Sequence, residues 1–239
     1  MELLNEALAE RGYKTLTSVQ EVVIAAELSE KDLVVSAETG SGKTVGFGLA
    51  IAPKLLGENK AFSSPGNPLA LIIAPTRELA MQVKHELSWL YKKTGAIIVS
   101  CVGGMDMRDE RRSLSKGAHI VVATPGRLRD HIMRKSLIMQ QINTVVLDEA
   151  DEMLDLGFQE DLEFIQSYKE FSELFDIDNI EDDIYSPWIL RLIFDKESLM
   201  NKKITIQEIQ EAIKENSHND DDIECIYSDD NAQDVVMRI

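Results

Sequence analysis

The stretch DLVVSAETGSGKT, Asp32 to Thr44, decides the fold. Residues 32–37 are mostly apolar and read as a strand, a glycine-punctuated turn follows, and a helical pattern begins at Lys43. Gly40 and Gly42 permit a tight turn whose backbone N–H groups, with the start of the helix, face an anion. Thr39, Gly40, Ser41, Gly42, Lys43 and Thr44 are therefore the expected contacts of a nucleotide phosphate chain. Lys43 reaches the β and γ phosphates, and the Thr44 hydroxyl takes Mg²⁺. Ala37 stands where the common form of this turn begins with glycine.

Working outward, LALIIAP at 69–75, GAIIVSCVGG at 95–104, HIVVATP at 119–125 and NTVVLDE at 143–149 repeat the strand pattern. Their near-continuous Ile, Val, Leu and Ala content suits strands covered on both faces. With helical patterns at 43–56, 77–93, 106–116 and 126–133, this predicts an α/β fold built on a parallel sheet. Such a sheet has its ligand crevice at the carboxyl ends of the strands, where the polar motifs begin. The last of these strands releases Asp148, Glu149, Ala150 and Asp151. Acidic residues are also ordinary partners of a helix N-terminus. The upstream GSGKT gives this pair a sharper reading: Asp148 holds Mg²⁺ through water and Glu149 deprotonates an attacking water. Lys43, Asp148 and Glu149 are the catalytic candidates.

At 239 residues the chain can bury one full core, or one core with a small partner. No apolar run approaches the roughly 20 residues needed to cross a bilayer, which argues against a membrane role, and the start MELLNEALAERGY lacks the pattern of a secretion signal. Only Cys101 and Cys225 are present, too few for a disulfide scaffold. The formal net charge of −17 is uneven: residues 1–166 hold 18 Lys and Arg against 23 Asp and Glu, and residues 167–239 hold 7 against 19. That balance opposes a broad polyanion-binding surface, although MRDERRSLSK at 107–116 and GRLRDHIMRK at 126–135 form a local basic stripe. His85, His119, His131 and His218 show no paired metal spacing and read as surface or satisfied histidines.

Six ordered motifs give residues 1–166 a resemblance to the first RecA-like domain of DEAD-box ATP-dependent RNA helicases. GYKTLTSVQ at 12–20 resembles the adenine-reading Q motif, AETGSGKT motif I and PTRELA at 75–80 motif Ia. Gly103 and Gly104 resemble the GG element, TPGR at 124–127 motif Ib, and DEAD at 148–151 motif II. The resemblance implies a RecA-like P-loop parallel sheet with helices on both faces, ATP and Mg²⁺ as cofactors, and Gln20 hydrogen-bonded to the adenine edge. It also implies that Thr76, Arg77, Gly104, Thr124, Gly126 and Arg127 line a single-stranded or duplex RNA backbone. Leu3 stands near the place of the family's adenine-stacking aromatic.

The likeness stops after EMLDLGFQEDLEFI at 152–165. The strand carrying a Ser-Ala-Thr motif III and the entire second RecA-like domain do not follow, so little or no unwinding and feeble ATP turnover are expected of this chain alone. In RecA-like sheets the missing strand sits beside the P-loop strand, and a gap there would leave two rows of backbone groups unpaired. An acidic linker at 167–184 leads to a small α+β tail at 185–239. Residues 186–195 read as a strand, 205–215 as a helix, and 223–231 with 235–239 as a hairpin. This tail resembles a stretch of the largest subunit of eukaryotic RNA polymerase II, through SPW, LMNKK-T and SDDNA. Two other readings therefore stand beside an ATP- and RNA-binding helicase domain. One is a structural segment of a DNA-directed RNA polymerase, or a fused or composite chain, with polymerase subunits as partners. The other is an RNA-binding module without turnover. The helicase reading predicts a cytoplasmic protein and the polymerase reading a nuclear one.

Overall fold

Strands without a polar face need cover on both sides, and that demand organises the molecule. The computed structural model describes residues 1–25, 32–37, 40–168, 223–225 and 233–238. The five anticipated strands are β1 (Asp32–Ala37), β2 (Ala70–Ile73), β3 (Ile98–Cys101), β4 (Ile120–Ala123) and β5 (Thr144–Asp148). Successive residues of β2 face opposite sides: Ala70 and Ile72 join one core, Leu71 and Ile73 the other. The same alternation sends Ile120 and Val122 of β4 one way and Val121 and Ala123 the other. The first core is closed by α1 (Glu2–Glu10), α2 (Ser18–Val23), α3 (Lys43–Ala50), α4 (Ala52–Leu56) and α5 (Arg77–Leu90). The second is closed by α7 (Pro125–Met133), α8 (Ala150–Asp155) and α9 (Gln159–Ser167), while α6 (Met107–Ser115) lies more exposed. The α/β fold class with helices on both faces of a largely parallel sheet is thus present among the described residues.

Local chemistry sets the helix ends. The Thr76 hydroxyl accepts the Leu79 N–H at 3.2 Å to start α5, and Asp106 accepts the Arg108 N–H at 2.8 Å to start α6. The single helix expected over 43–56 is divided at Ile51, with Pro53, which has no N–H to donate, in the first turn of α4. Where α3 meets α5, a Cβ on Gly48 would stand 2.8 Å from both Leu87 and Leu90. The buried Tyr91 hydroxyl donates to the Gly48 carbonyl at 2.6 Å, so only glycine lets these helices approach so closely.

The gap beside the P-loop strand is filled from the tail. The sheet order is β3-β4-β2-β5-β7-β1-β6, where β6 is Ile223–Cys225 and β7 is Gln233–Arg238. β7 runs antiparallel to both neighbours, pairing Leu33 to Ala37 with Met237 to Gln233, and Val145 to Asp148 with Arg238 to Val235. β6 pairs in parallel on the other side of β1. The expected hairpin of 223–231 with 235–239 is therefore corrected. The two segments flank β1 instead of pairing with each other, because the unpaired rows of β1 and β5 offer β7 a ladder on each side, and a hairpin offers only one. The strand expected at 186–195, the helix at 205–215 and the acidic segment 176–183 lie outside the described residues. No helix among the described residues is long and apolar enough to cross a membrane.

A chain ending at Ala232 would lose β7 and expose backbone groups on both β1 and β5, at about 1–3 kcal/mol for each group left buried and unpaired. That truncation is expected to abolish a cooperative thermal transition measured by circular dichroism. A transition matching the full chain's would show that β7 does not hold the sheet.

Candidate functional site

The phosphate turn is braced by the segment that precedes it. Thr17 and Gln20 form a reciprocal capping box at the start of α2: the Gln20 Oε1 accepts the Thr17 N–H at 3.0 Å, and the Thr17 hydroxyl oxygen accepts the Gln20 N–H. The same two side chains reach the turn. Gln20 Nε2 donates to the Gly42 carbonyl at 3.1 Å, and the Thr17 hydroxyl donates to the Ser41 carbonyl at 2.9 Å. Gln20 is fully buried, with both ends of its amide engaged in this brace. Gly42 has a left-handed φ of 89°, and a Cβ there would lie 2.4 Å from Gln20 Nε2. No other residue meets both demands. Thr17 is absent from the candidates named from sequence, although the T-x-x-Q spacing of TSVQ carries the signal.

Gly42 caps α3 without a side-chain hydrogen bond, leaving the helix N-terminus directed at the turn. Ser41 Oγ is buried and has no hydrogen-bond partner. Lys43 Nζ donates to the Ala37 carbonyl, across the mouth of the turn. Thr44 lies in the first turn of α3, half-buried, and Thr39 lies outside the described residues.

Asp148 closes the site from the end of β5. It is buried, and burial pushes its pKa up to about 6, against the pull of the Lys43 ammonium and with a further push from Asp151. The influence of Lys43 on Asp148 sets the phosphate turn and the acidic strand end near each other. Glu149 has a left-handed backbone, φ 55° and ψ 57°, a strained conformation for a residue with a Cβ. Its carboxyl is also pushed up, first by burial, then by a hydrogen bond with Glu152 and by the charge of Asp148. Because β7 runs against its neighbours, Gln233 stands opposite Ala37 and Val235 opposite Asp148, so β7 begins at this end of the sheet.

An orphaned hydroxyl, an uncapped helix start and a lysine fit a phosphate chain. Two carboxyls raised by burial and by neighbouring acids fit a divalent cation. Among the described residues no three acidic, histidine or cysteine side chains gather closely enough to hold a metal alone.

The residues expected to line RNA form a second cluster at the same end of the sheet. A Cβ on Gly104, φ 77°, would stand 2.8 Å from Arg77 Nη1, so the exposed Arg77 lies across the glycine. Arg77 also reaches Met105 Sδ at 3.4 Å, and Arg127 donates to the Met105 carbonyl at 2.9 Å. Thr124 caps α7 and is nearly buried, and Gly126 follows in its first turn beside Asp161. Arg127 is less open than an exposed phosphate fork, with only 13% of its side chain accessible and Nε 3.6 Å from Glu110. Glu110 is buried and accepts the Val102 N–H at 2.8 Å, with His131 Nε2 at 2.8 Å from its other oxygen. Sequence reasoning missed Glu110. In MRDERR it resembles any other charge, and only the orientation of α6 reveals it as the acid turned inward.

Comparison with known proteins finds two family matches. A DEAD/DEAH box helicase family model matches residues 17–176, and one for RNA polymerase Rpb1, domain 7, matches residues 151–239. The chain is 45% identical over 164 residues to the DEAD-box ATP-dependent RNA helicase CshA of Bacillus licheniformis, covering 69% of this chain and 32% of that protein. It is 43% identical over 164 residues to CshA of Bacillus subtilis, with the same coverage. The chain thus spans about a third of the length of these curated relatives. Among solved structures, the RNA helicase Prp28 from Chaetomium thermophilum bound to ADP superposes with a TM-score of 0.63 at 38% identity, over 71% of this chain and 41% of that one. The yeast DEAD-box splicing factor Prp28 gives a TM-score of 0.64 at 34% identity, over 73% of this chain and 40% of that one.

Asp148 binds its proton more tightly in the folded chain than at its ordinary value of 3.8. Its contribution to stability is therefore complete below that value and is lost as pH rises through about 6. In nucleotide-free buffer with a chelator, Asp148→Asn is expected to melt above the parent at pH 8, by on the order of 2 kcal/mol, and level with it near pH 4. An equal gap at both pH values, read by calorimetry, would contradict this account.

Proposed function

The chain belongs to the DEAD/DEAH box helicase family through residues 17–176, and on that basis we propose that it is the ATP- and RNA-binding first domain of an RNA helicase, with residues 1–166 as the nucleotide-binding unit. The observation that carries this reading is the meeting of Lys43 with Asp148, which sets a cation reaching for phosphate against an acid suited to Mg²⁺. Ser41, Gly42 and the first N–H groups of α3 would hold the phosphates. Lys43 would leave the Ala37 carbonyl for the β and γ oxygens, and Thr44 and Asp148 would hold Mg²⁺. The ion supplies charge neutralisation on the phosphate oxygens. Glu149 would orient a water and take its proton, a task its raised proton affinity suits. Gln20 and Thr17 would keep the turn in its binding shape, and adenine reading by Gln20 would require one end of its amide to leave this brace.

Arg77, Gly104, Thr124, Gly126 and Arg127 would address the RNA backbone, with Arg77 the exposed fork and Arg127 positioning the Met105 carbonyl. These residues would form one wall of an RNA clamp. The Rpb1 match over 151–239 favours a second reading, in which the tail docks on transcription partners. The first reading would place the protein in the cytoplasm and the second in the nucleus.

Binding of a fluorescent ATP analogue with Mg²⁺ is expected to weaken about tenfold or more in Lys43→Ala and to persist in Glu149→Gln, whose residual turnover falls by about 100-fold. Equal binding by the parent and Lys43→Ala would sink the nucleotide assignment.

A further inference from the structure

At the opposite edge of the sheet, by the amino ends of β2 and β4, lies a groove of about 680 Å³. Its rim carries Arg108, Arg111, Arg112, Lys116 and Lys135, and among the described residues no carboxylate lines it. In a chain of net charge −17, five cations around one concavity depart from the surrounding balance. Among the described residues, Arg112 alone of the five has an ion pair, a loose one with Asp109 at 3.8 Å, both side chains being largely exposed. The cations sit on α6 at positions 108, 111 and 112, so they share one helix face, with Lys116 just past its end. Arg108 to Lys116 spans about 12 Å at 1.5 Å per residue.

The walls are built. Gly117, φ 91°, packs so closely that a Cβ would lie 2.6 Å from the Pro65 carbonyl oxygen, and Ala118 donates to the Gly66 carbonyl at 3.0 Å. These contacts tie the loop before β2 to the turn before β4. Lys135 adds a backbone observation. It has φ 52° directly after α7, a position that glycine fills at lower cost, yet the chain keeps a lysine there. A long cation held at a left-handed position on the rim is consistent with a need for its charge.

We propose that this groove binds the phosphate backbone of RNA beyond the strand held at Arg77 and Gly104. The ligand chemistry follows from the lining. Guanidinium and ammonium groups without any aromatic ring grip phosphates and offer bases no stacking surface, so the contact is independent of sequence. Because α6 begins beside the Gly103–Met105 loop and ends at the groove, a strand leaving the first cluster can follow it. The inference rests on the RNA-binding reading above, and its test separates the two.

Labelled oligouridylates of about 6 and about 16 nucleotides would be titrated into the full chain with ATP and Mg²⁺ at several salt concentrations. The longer RNA is expected to bind more tightly and with a steeper salt dependence. Triple reversal of Arg111, Lys116 and Lys135 to Glu should weaken the longer RNA about tenfold or more and lower its salt slope by about two, leaving the shorter RNA unchanged. Lys135→Gly is expected to raise the melting temperature and still weaken the longer RNA, a split that a purely structural lysine would not produce. If the short RNA binds but the long one gains nothing, the groove assignment falls alone. If neither binds, the RNA reading falls with it. Displacement of the long RNA from the groove by a labelled polyglutamate peptide, at lower concentration than competing RNA, would overturn RNA in favour of an acidic polypeptide.

Discussion

Backbone pairing of Gln233–Arg238 with β1 on one side and β5 on the other is the constraint on which the rest of the molecule depends. β1 delivers the phosphate turn and β5 delivers Asp148, and no direct ladder joins them. Their separation is therefore set by the strand between. A sheet tolerates an inserted strand of either direction as long as its N–H and C=O groups are met, since the spacing between neighbours is close to 4.8 Å in both cases. The reversal has one local consequence. A parallel strand would bring its carboxyl end to the site, whereas β7 brings its first residues, Gln233 and Asp234, to that end of the sheet.

Much of this was legible in the sequence because each strand from Asp32 to Asp148 is apolar on both faces. Ala70, Leu71, Ile72 and Ile73 admit only a covered strand, and the described structure sorts them alternately into two cores. The convergence of Lys43 and Asp148 was legible for a related reason, since both follow strands of one parallel sheet and such strands end on one edge. The tail was not legible in the same way. VVMRI is as compatible with a hairpin arm as with a central strand, and what decides between them is the pair of empty ladders some 90 to 200 residues earlier in the chain. Local pattern cannot carry information about a vacancy created elsewhere.

The RNA cluster shows another limit. Gly104, Arg77 and Arg127 were identified one by one, but Arg127 is turned inward onto Glu110, itself held by Val102 and His131. A buried acid with three partners is stable only as a set, and removing one leaves the rest with unmet charge. The loop at 103–105 is thereby fixed from beneath, through the Met105 carbonyl, and Arg77 remains the exposed fork.

The two halves of the nucleotide site are strained in complementary senses. The turn holds an uncapped helix start and, among the described residues, an orphaned Ser41 hydroxyl, both suited to negative charge. The end of β5 holds Asp148 and a left-handed Glu149, both keeping their protons more tightly than ordinary carboxyls. Direct collapse of one half onto the other is prevented because β7 keeps β1 and β5 apart. Under the proposed function a phosphate chain with its magnesium would meet both halves at once, and binding energy would appear as added stability of the sheet, growing with the logarithm of ligand concentration. Strand insertion and nucleotide binding are then linked: whatever loosens β7 lowers apparent nucleotide affinity, and bound nucleotide in turn opposes the loss of β7.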